Sequence, residues 1–394
     1  MARHVLMSTR KDLGDVNRRQ VLADIMFNGP LARAEIAKRV TLTQASVSRI
    51  TKELLEHDLI YESSQASHNR VGRPSVKLAV NPGGGYVIGV AINLFKQIVS
   101  VANLANETLA SRILTPADIT DPDLVLGGVV GAVKGLLQET GIAKEQVLSC
   151  GVAVTGAVDP GTGTVRSAPS IGWGSVPIGS YLKDSLHLPV YVETVPNAKN
   201  LAEYGYGKTR NYRHVVLLNA YHIIGASFLL NGELYRGFNA HAGVIENAPL
   251  SAGQTEGPAH ELVSGKAVLR SYYGEEGLPD RLSASGSVFN LIDKANGGER
   301  RAVAAFEKAA SAVAQLMKLV KEMLHPEVIL LTGPVVACES YVARVRADLK
   351  AHAGEAWLDA HFKTSRISSE FAAQSLALYK SISEDLWQEP ALAV

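Results

Sequence analysis

A short segment near the N-terminus places hydroxyl, amide and guanidinium side chains close together, in a pattern suited to contacting nucleic acid. Gln44 can hydrogen-bond N6 and N7 of adenine, and Arg49 can hydrogen-bond O6 and N7 of guanine. Hydroxyl groups suit phosphates or either base, and Lys52 is better placed for a phosphate. The side chains expected to contact DNA here are Thr43, Gln44, Ser46, Ser48, Arg49 and Lys52. The alternative is an ordinary surface helix with a polar face.

Such side chains must be carried by a helix that a neighbouring helix holds in place. Residues 16–30 place apolar side chains at helical spacing and end at Asn28-Gly29-Pro30, which predicts a first helix. Residues 34–40, the short break at 41–43 and residues 44–60 then predict two helices joined by a tight turn. In helix-turn-helix proteins, the second helix of such a pair enters the major groove.

The segment that follows favours DNA binding over the alternative. Residues 61–80 contain two strand-like ends around a polar loop that includes Arg70, Gly72, Arg73 and Pro74. A basic hairpin tip beside a recognition helix can reach the DNA backbone or the minor groove, where arginine is favoured electrostatically. Arg70 and Arg73 are therefore further candidate DNA contacts. Residues 1–80 are predicted to form a winged helix-turn-helix domain.

The distribution of charge agrees with a nucleic-acid-binding head on a neutral to acidic body. The whole chain has a formal net charge of +1. Residues 1–80 nevertheless hold 13 Lys and Arg against 8 Asp and Glu, and the remainder holds 26 against 30. This asymmetry is typical of a chain with a basic domain that binds a polyanion.

The cysteines and the hydropathy pattern predict where the chain resides. Cys150 and Cys338 are the only cysteines and both have apolar neighbours in sequence, which indicates buried free thiols in a reducing compartment. A cytoplasmic location is expected. The N-terminus has no apolar run of a signal peptide, and no stretch of 18 uncharged apolar residues occurs, so a membrane partner is not expected.

The remainder of the chain alternates strand and helix patterns. After the Pro- and Gly-rich hinge at residues 81–85, residues 86–109 alternate apolar and polar side chains over two strands. Residues 123–139 are helical in pattern, and residues 150–160 and 214–237 again predict strands. The sequence therefore predicts an α/β body of two lobes over residues 81–394.

The order of motifs in this body resembles that of the ROK family of repressors and sugar kinases. The segments that carry the resemblance are GVAVTGAVDPGTGTV, APSIGW, LPVYVETVPNAKNLAEYGYG, LLNGELYRGFNAHAG and HPEVILLTGPVV. The regulators of that family also carry a winged helix ending in GRP, here Gly72-Arg73-Pro74. The resemblance implies an actin-like, sugar-kinase-like fold of the ribonuclease H-like ATPase type behind a winged helix-turn-helix.

The catalytic motifs of the family's kinases are replaced in this sequence. The first phosphate turn, DxGGT, matches Ala91-Ile92-Asn93-Leu94-Phe95, which has no carboxylate. The general base, the Asp of an END motif, matches Val195, which cannot accept a proton. The second phosphate loop, GTGxG, matches residues 221–225, YHIIG. We therefore expect a body without kinase activity. The alternative is an active sugar kinase with an appended DNA-binding domain.

The zinc and sugar motifs of the family are replaced as well. ExGH matches residues 244–247, VIEN, and the stretch 251–262 that matches the cysteine cluster contains no cysteine. Thiolate ligation of zinc is therefore excluded. A lone histidine in a loop is more often solvated than bound to a metal, so His241 and His260 are not expected to be metal ligands. No metal and no cofactor are expected.

A regulator of this kind needs a site whose occupancy changes its DNA-binding heads, and the cleft between the lobes is the expected place. We expect a small-molecule effector there, a sugar or sugar derivative, with Trp173 stacking on a sugar face. The alternative for each residue is a packing or loop role. The candidate effector contacts are Ser170, Trp173, Thr194, Asn197, His222, Glu246, Asn247, His260 and Glu261.

The expected function is a repressor of carbohydrate or related metabolic genes that binds double-stranded DNA at a palindromic operator as a homodimer or higher homo-oligomer. The apolar-periodic segment 300–324 could form an interface, although a core role is favoured. A third possibility is control by a protein partner instead of a metabolite.

Overall fold

The computed structural model describes residues 10–63, 76–94, 96–221, 223–252, 255–274 and 284–385. The N-terminal head contains α1 (Arg10–Asn28), β1 (Leu31–Ala32), α2 (Arg33–Arg39), α3 (Gln44–Glu56), β2 (Ile60–Ser63) and β3 (Lys77–Val80). Its three strands form an antiparallel sheet in the order β1-β3-β2. The predicted wing tip, with Arg70 and Arg73, lies outside the described residues.

The helix-turn-helix forms because its apolar side chains share one small core. Thr43 caps α3 by accepting a hydrogen bond from the backbone nitrogen of Ser46 at 3.1 Å. Val47 and Ile50 of α3 are fully buried against Ile36 of α2 and the apolar face of α1. The three predicted helices are therefore present. The first begins at Arg10, several residues before the apolar pattern that predicted it.

The first lobe of the body is a five-stranded sheet flanked by helices. Its elements are β4 (Tyr86–Ile92), β5 (Gln97–Asn103), β6 (Thr108–Leu114), α4 (Pro122–Thr140), β7 (Val147–Val154), β8 (Ala157–Asp159), β9 (Thr164–Ser167), α5 (Ile178–Leu186), β10 (Val190–Thr194) and α6 (Val195–Tyr206). The strand order is β10-β7-β4-β5-β6, in which β4, β5 and β6 form an antiparallel meander. Strand β7 pairs in parallel with β4 after the crossover through α4, and β10 pairs in parallel with β7 after the crossover through α5.

The second lobe repeats this topology. Its elements are β11 (Val215–Ala220), β12 (Ile224–Leu230), β13 (Glu233–Tyr235), β14 (Pro249–Ala252), β15 (Thr255–Pro258), α7 (Ala259–Leu262), α8 (Gly265–Tyr273), α9 (Ala284–Asn296), α10 (Arg300–Leu324), β16 (Val328–Thr332), α11 (Glu339–Ala353), α12 (Glu355–His361) and β17 (Phe362–Ser365), and α13 (Ser369–Lys380) follows them in the chain. The strand order β13-β12-β11-β16-β17 matches that of the first sheet. Helix α10 spans the predicted segment, and one face of it lies in the core of this lobe.

The last helix, α13, returns to the first lobe and packs directly on its sheet. Gly89 of β4 and Gly151 of β7 lie opposite each other in the parallel ladder. A Cβ at Gly151 would lie 2.2 Å from the backbone oxygen of Ala373, and a Cβ at Gly89 would lie 2.6 Å from Cγ of Gln374. The glycine pair therefore allows the helix to approach the sheet closely.

The head and the first lobe share one hydrophobic core. Buried side chains of α1 and α3 form a single cluster with Val87 and Leu104 of the first lobe and with Leu378 and Ile382 at the C-terminal end of the described chain. The division at residue 80 stays a prediction, and the packing makes the head continuous with the body. None of the helices in the described part of the chain has the length and apolar character needed to cross a membrane.

Candidate nucleic-acid interface and ligand cleft

The outward face of α3 presents most of the predicted DNA contacts to solvent. Gln44, Ser48, Arg49 and Lys52 are exposed. Thr43 and Ser46 instead bond each other through their hydroxyl oxygens at 2.9 Å, because they close the N-terminal turn of the helix. The helix therefore offers an amide, a hydroxyl and two cations on one face, and two further hydroxyls at its N-terminus.

Arg49 is held by a chain of ion pairs. Its Nη1 lies 2.8 Å from Oε1 of Glu53, one turn further along α3. Arg18 of α1 donates Nε to Oε2 of Glu53 at 2.7 Å and Nη1 to Asp15 at 2.7 Å. Burial acts to raise the pKa of Glu53, but the hydrogen bond and charge of Arg18, together with Arg49, outweigh it and lower that pKa. Glu53 is therefore an anion that orients Arg49 toward the exposed face.

Sequence analysis did not identify Arg18 or Glu53, since neither residue type at those positions is distinctive. Lys52 has a looser partner, because its Nζ lies 3.7 Å from Oε1 of Glu56. An exposed pair at that distance contributes little, which leaves Lys52 available to a phosphate.

A cleft of about 250 Å³ lies between the two lobes. Its walls come from the loops after β4 and β7, from the first turns of α6, from the end of β11 with the start of β12, and from the loop before β14. Three of the nine predicted effector residues line it, namely Ser170, Thr194 and Glu246. Ser170 brings a buried hydroxyl oxygen that has no hydrogen-bond partner in the described structure.

Two other predicted effector residues lie in the protein interior. Trp173 is 3% exposed within the core of the first lobe, and its Nε1 donates to the backbone oxygen of Ile119 at 2.8 Å. Its ring therefore packs against the lobe instead of stacking on a ligand. Asn197 is also buried, and its Nδ2 donates to Oε1 of Glu193 at 2.9 Å.

The remaining predicted effector residues lie beside the cleft or outside the described chain. Asn247 is exposed on the loop that precedes β14. His260 places Nδ1 2.9 Å from the backbone oxygen of Glu246, and Glu261 borders a separate surface groove near Arg270. His222 lies outside the described residues. The effector set predicted from sequence is therefore only partly brought together.

Apolar side chains occupy the positions at which the kinases carry their catalytic groups. Val195, at the position of the general base, lines the cleft. Ala91 is fully buried at the end of β4, where the kinases have an aspartate, and Leu94 lines the cleft beyond it. These side chains cannot accept a proton or hold a metal-bound phosphate.

Sequence analysis missed Lys199, which is the buried cation of this cleft. It is 7% exposed, lines the cavity and donates from Nζ to Oδ1 of Asn219 at 3.1 Å. Burial lowers the pKa of Lys199 to about 8, and the charge of Glu203 opposes that change in part. Asn197, Asn200 and Glu203 of α6 are buried as well, and local sequence does not report that burial.

An ion pair joins the two lobes. Glu193, at the end of β10, is 2% exposed. Arg236, just after β13 in the other lobe, donates Nε and Nη2 to Oε2 of Glu193 at 3.0 and 2.8 Å. Because Glu193 is buried and doubly bonded, this pair fixes the spacing of the lobes more firmly than a surface pair would.

Helix α6 connects the cleft with the head. Val195 and Lys199, in its first two turns, line the cavity. Its last residue, Tyr206, meets Phe27 of α1 edge to face, with ring centroids 5.1 Å apart. Tyr206 also meets Phe371 of α13 at 5.7 Å. Since Ser369 of α13 lines the cleft as well, both helices run from the cavity to the head.

The described residues contain no group of three or more His, Cys, Asp or Glu side chains arranged to hold a metal ion. Cys150 and Cys338 are both buried and free. Burial raises the pKa of Cys150 to about 12, which keeps that thiol protonated and unreactive.

The chain is similar in sequence to known proteins. The model of the ROK family matches residues 87–374. Among curated proteins, the xylose repressor of Caldicellulosiruptor bescii is 26% identical over 239 residues. The match covers 61% of this chain and 60% of that repressor, so the chain spans less than two thirds of its relative's length.

Two solved structures share the fold. A ROK family transcriptional regulator, described as a homologue of the Escherichia coli Mlc protein, aligns with a TM-score of 0.75 and 22% identity over 94% of this chain and 98% of that one. A ROK family glucokinase from Streptomyces griseus, solved with glucose and AMPPNP, aligns with a TM-score of 0.62 and 21% identity over 74% of this chain and 98% of that one. The predicted fold class is confirmed.

Proposed function

The chain belongs to the ROK family, and from that premise we propose that it is a DNA-binding transcriptional repressor of carbohydrate or related metabolic genes. In this proposal, a small molecule bound in the inter-lobe cleft controls the DNA-binding head. The name of the Caldicellulosiruptor bescii relative, a xylose repressor, supports the assignment to sugar metabolism.

The observation that carries the proposal is the path of α6 from the cleft to the head. Val195 lines the cavity at one end of this helix, and Tyr206 contacts Phe27 of the head at the other. A ligand that changes the closure of the lobes must move α6, because the helix packs between the two sheets. Packed interiors transmit such displacements instead of absorbing them.

The exposed face of α3 supports specific DNA recognition. Gln44 and Arg49 are the base-reading side chains in this proposal, and Ser48 and Lys52 contact the backbone or bases beside them. Arg70 and Arg73 contribute from the wing. A head of this size reads one half-site, so the chain acts as a homodimer on a palindromic operator.

We also propose that the body is not an enzyme. The kinase alternative requires an aspartate at the positions of Ala91 and Val195, and both side chains are apolar and largely buried. The fold that the chain shares with ROK family sugar kinases such as the Streptomyces griseus glucokinase is the observation that favours this alternative. ATP and a panel of hexoses and pentoses should therefore give no phosphorylated sugar with the purified chain, and measurable turnover would favour the kinase.

The direct test of the proposed function is binding to the DNA immediately upstream of the chain's own gene. Fluorescence anisotropy at fixed salt would compare that duplex with a shuffled duplex of the same composition. We expect the chain to bind the upstream duplex at least about 10³-fold more tightly than the shuffled one, the low end of specific recognition. Equal affinity for both duplexes at that salt concentration would contradict the assignment.

A further inference from the structure

The exposed arginine of α3 uses one nitrogen of its guanidinium within the protein and keeps one complete edge for a ligand. Nη1 of Arg49 donates to Oε1 of Glu53 at 2.8 Å. Nε and Nη2, whose N–H groups point in parallel from another edge, make no hydrogen bond within the described part of the chain. Arginine binds guanine by donating two such parallel hydrogen bonds to O6 and N7. The bond to Glu53 therefore leaves the guanine-binding edge of Arg49 intact.

Glu53 is itself held in place by a second helix. Arg18 of α1 donates Nε to Oε2 of Glu53 at 2.7 Å, so each carboxylate oxygen accepts from a different arginine. Asp15 of α1 in turn accepts from Nη1 of Arg18 at 2.7 Å. Arg18, Asp15 and Glu53 are all partly buried, whereas Arg49 is exposed. The direction of the Arg49 side chain is therefore set by α1 and α3 together.

A neighbouring pair on the same helix shows what an ordinary helical ion pair looks like here. Lys52 and Glu56 are also four residues apart, but both are exposed and their charged atoms are 3.7 Å apart. Such a pair stabilises a helix only slightly. The pair of Arg49 and Glu53 is closer, and Arg18 joins it from another helix. Helix stabilisation alone does not account for that third residue.

A carboxylate beside the DNA-facing surface has a cost and a use. Its negative charge opposes binding to any phosphate backbone, whatever the base sequence. An unrestrained arginine has many rotamers, several of which would let it contact phosphates instead of bases. Glu53 holds Arg49 in one of these rotamers before DNA binds. Some general affinity is therefore exchanged for selectivity, as interfaces built against wrong partners do.

We propose that Glu53 is a positioning residue that makes Arg49 select guanine at one position of the DNA site, with Arg18 holding Glu53 in place. Glu53 and Arg18 contact no base in this arrangement and act only through Arg49. The inference rests on the proposed function, because it requires α3 to bind DNA. It adds to that function the residues that set selectivity at one base pair, and one of them belongs to α1.

The test begins with a pool of duplexes of randomised sequence, from which the full chain selects its binding sites at fixed salt. Sequencing the bound fraction for the unmodified chain and for Arg49→Ala identifies the guanine that Arg49 reads. Fluorescence anisotropy then compares the selected duplex with three duplexes that carry the other base pairs at that position. The unmodified chain should prefer guanine there by roughly 5- to 150-fold, the value of one bidentate arginine contact.

Variants of the two positioning residues should change that preference and little else. Glu53→Gln should reduce the guanine preference several-fold and leave the preferences at other positions unchanged. It should also bind shuffled DNA more tightly, because one negative charge is removed. Arg18→Met should cause the same position-specific loss from outside α3, and Arg18→Lys should retain part of the preference. Since Arg18→Met leaves α3 unaltered, it carries the test if Glu53→Gln does not fold.

Glu56→Gln is the matched control, since it makes the same chemical change three residues further along α3. It should tighten binding to shuffled DNA in the same way and keep the guanine preference. The proposal is overturned if that preference persists in both Glu53→Gln and Arg18→Met, or if Glu56→Gln reduces it equally. Loss of a cytosine preference at a neighbouring position, with the guanine preference intact, would instead show that Glu53 reads a base itself. If the unmodified chain selects no sequence at all, the proposed function fails first, so the two failures are distinguishable.

Discussion

Phe27 of the N-terminal head and Tyr206 of the body form an edge-to-face aromatic pair, with ring centroids 5.1 Å apart and planes at 82°. Tyr206 ends the helix that begins in the ligand cleft, so the pair is the point at which the cleft meets the head. Gly205 lies under the same ring, since an added Cβ there would be 2.9 Å from Cε1 of Phe27. The contact is therefore close, and a shift of α6 must be transmitted to α1.

Removing the ring of Tyr206 should uncouple the head from the cleft. Tyr206→Leu loses the aromatic contacts with Phe27 and Phe371, worth about 0.5–1.5 kcal/mol each beyond area burial. We expect the variant to bind both DNA and ligand while the effect of ligand on DNA affinity falls several-fold. Anisotropy titrations with and without a sugar that raises the thermal unfolding midpoint of the chain would measure this.

Tyr206→Phe is the matched control for that variant. The Tyr206 hydroxyl is buried and has no hydrogen-bond partner in the part of the chain that the structure describes. Its removal should leave stability unchanged or slightly higher and should preserve the response to ligand. Loss of the response in Tyr206→Phe, or its survival in Tyr206→Leu, would show that the ring contact is not the connection.

Arg49 and Lys52 should differ in what they contribute to DNA binding. Arg49→Ala should reduce the free energy of binding to the preferred duplex by roughly 1–3 kcal/mol, because it removes a base contact. Its effect on binding to a shuffled duplex should be small. Lys52→Ala should weaken binding to both duplexes alike. It should also reduce the salt dependence of the binding constant by the contribution of about one phosphate contact. Competition binding at several salt concentrations separates the two effects. Unchanged selectivity in Arg49→Ala would exclude base reading by that side chain.

Gly151→Ala should destabilise the protein because the added methyl has no space. Its Cβ would lie 2.2 Å from the backbone oxygen of Ala373 and 2.7 Å from the nitrogen of Ala377, so α13 must move away from the sheet. Overpacking of this kind costs about 1–3 kcal/mol or more. Gly131→Ala, in the exposed interior of α4 with nothing within 4 Å, should instead stabilise by about 0.5–1 kcal/mol. Urea unfolding measures the stability of both variants. Equal changes in stability for Gly151→Ala and Gly131→Ala would contradict the packing argument.

The lowered pKa of Lys199 predicts a pH dependence of stability. The ammonium titrates near 8 in the folded chain and near 10.5 when unfolded, so the unfolded chain binds more protons between these values. Stability from this group therefore rises with pH across that window, by up to ~1.4 kcal/mol per unit, and is constant below it. Lys199→Met has no such group, so its stability advantage over the unmodified chain should be largest below about pH 8 and shrink toward pH 10. A difference that does not change with pH would contradict the buried ammonium.

Much of the fold followed from periodicity. The helix-turn-helix was predictable because Val47 and Ile50 repeat at helical spacing behind a capping Thr43. The two lobes were predictable because strand and helix patterns alternate. The return of α13 to the first lobe was not predictable, since it depends on the space above Gly89 and Gly151, and local sequence does not report which helix fills it.

The ligand cleft was predicted less completely than the fold. Motif position places Thr194 and Glu246 near the cavity, but it does not specify which way a loop side chain points. Trp173 lies on the inward side of its loop and packs in the core, so its large apolar ring suggested a ligand contact that the structure does not make. Lys199 was missed because a lysine within a helix is usually solvated, and only the tertiary packing buries it.

The central claim, that the cleft and the head are coupled through α6, can be tested before any effector is known. Coupling is reciprocal, so DNA bound at the head must change the cleft. Amide hydrogen exchange of the full chain, with and without its preferred duplex, should show altered protection in residues 195–206 and in the cleft-lining residues 223–226, in addition to the head. Changes confined to residues 10–63 and 76–80, with α6 and the cleft unaffected at saturating DNA, would contradict the account.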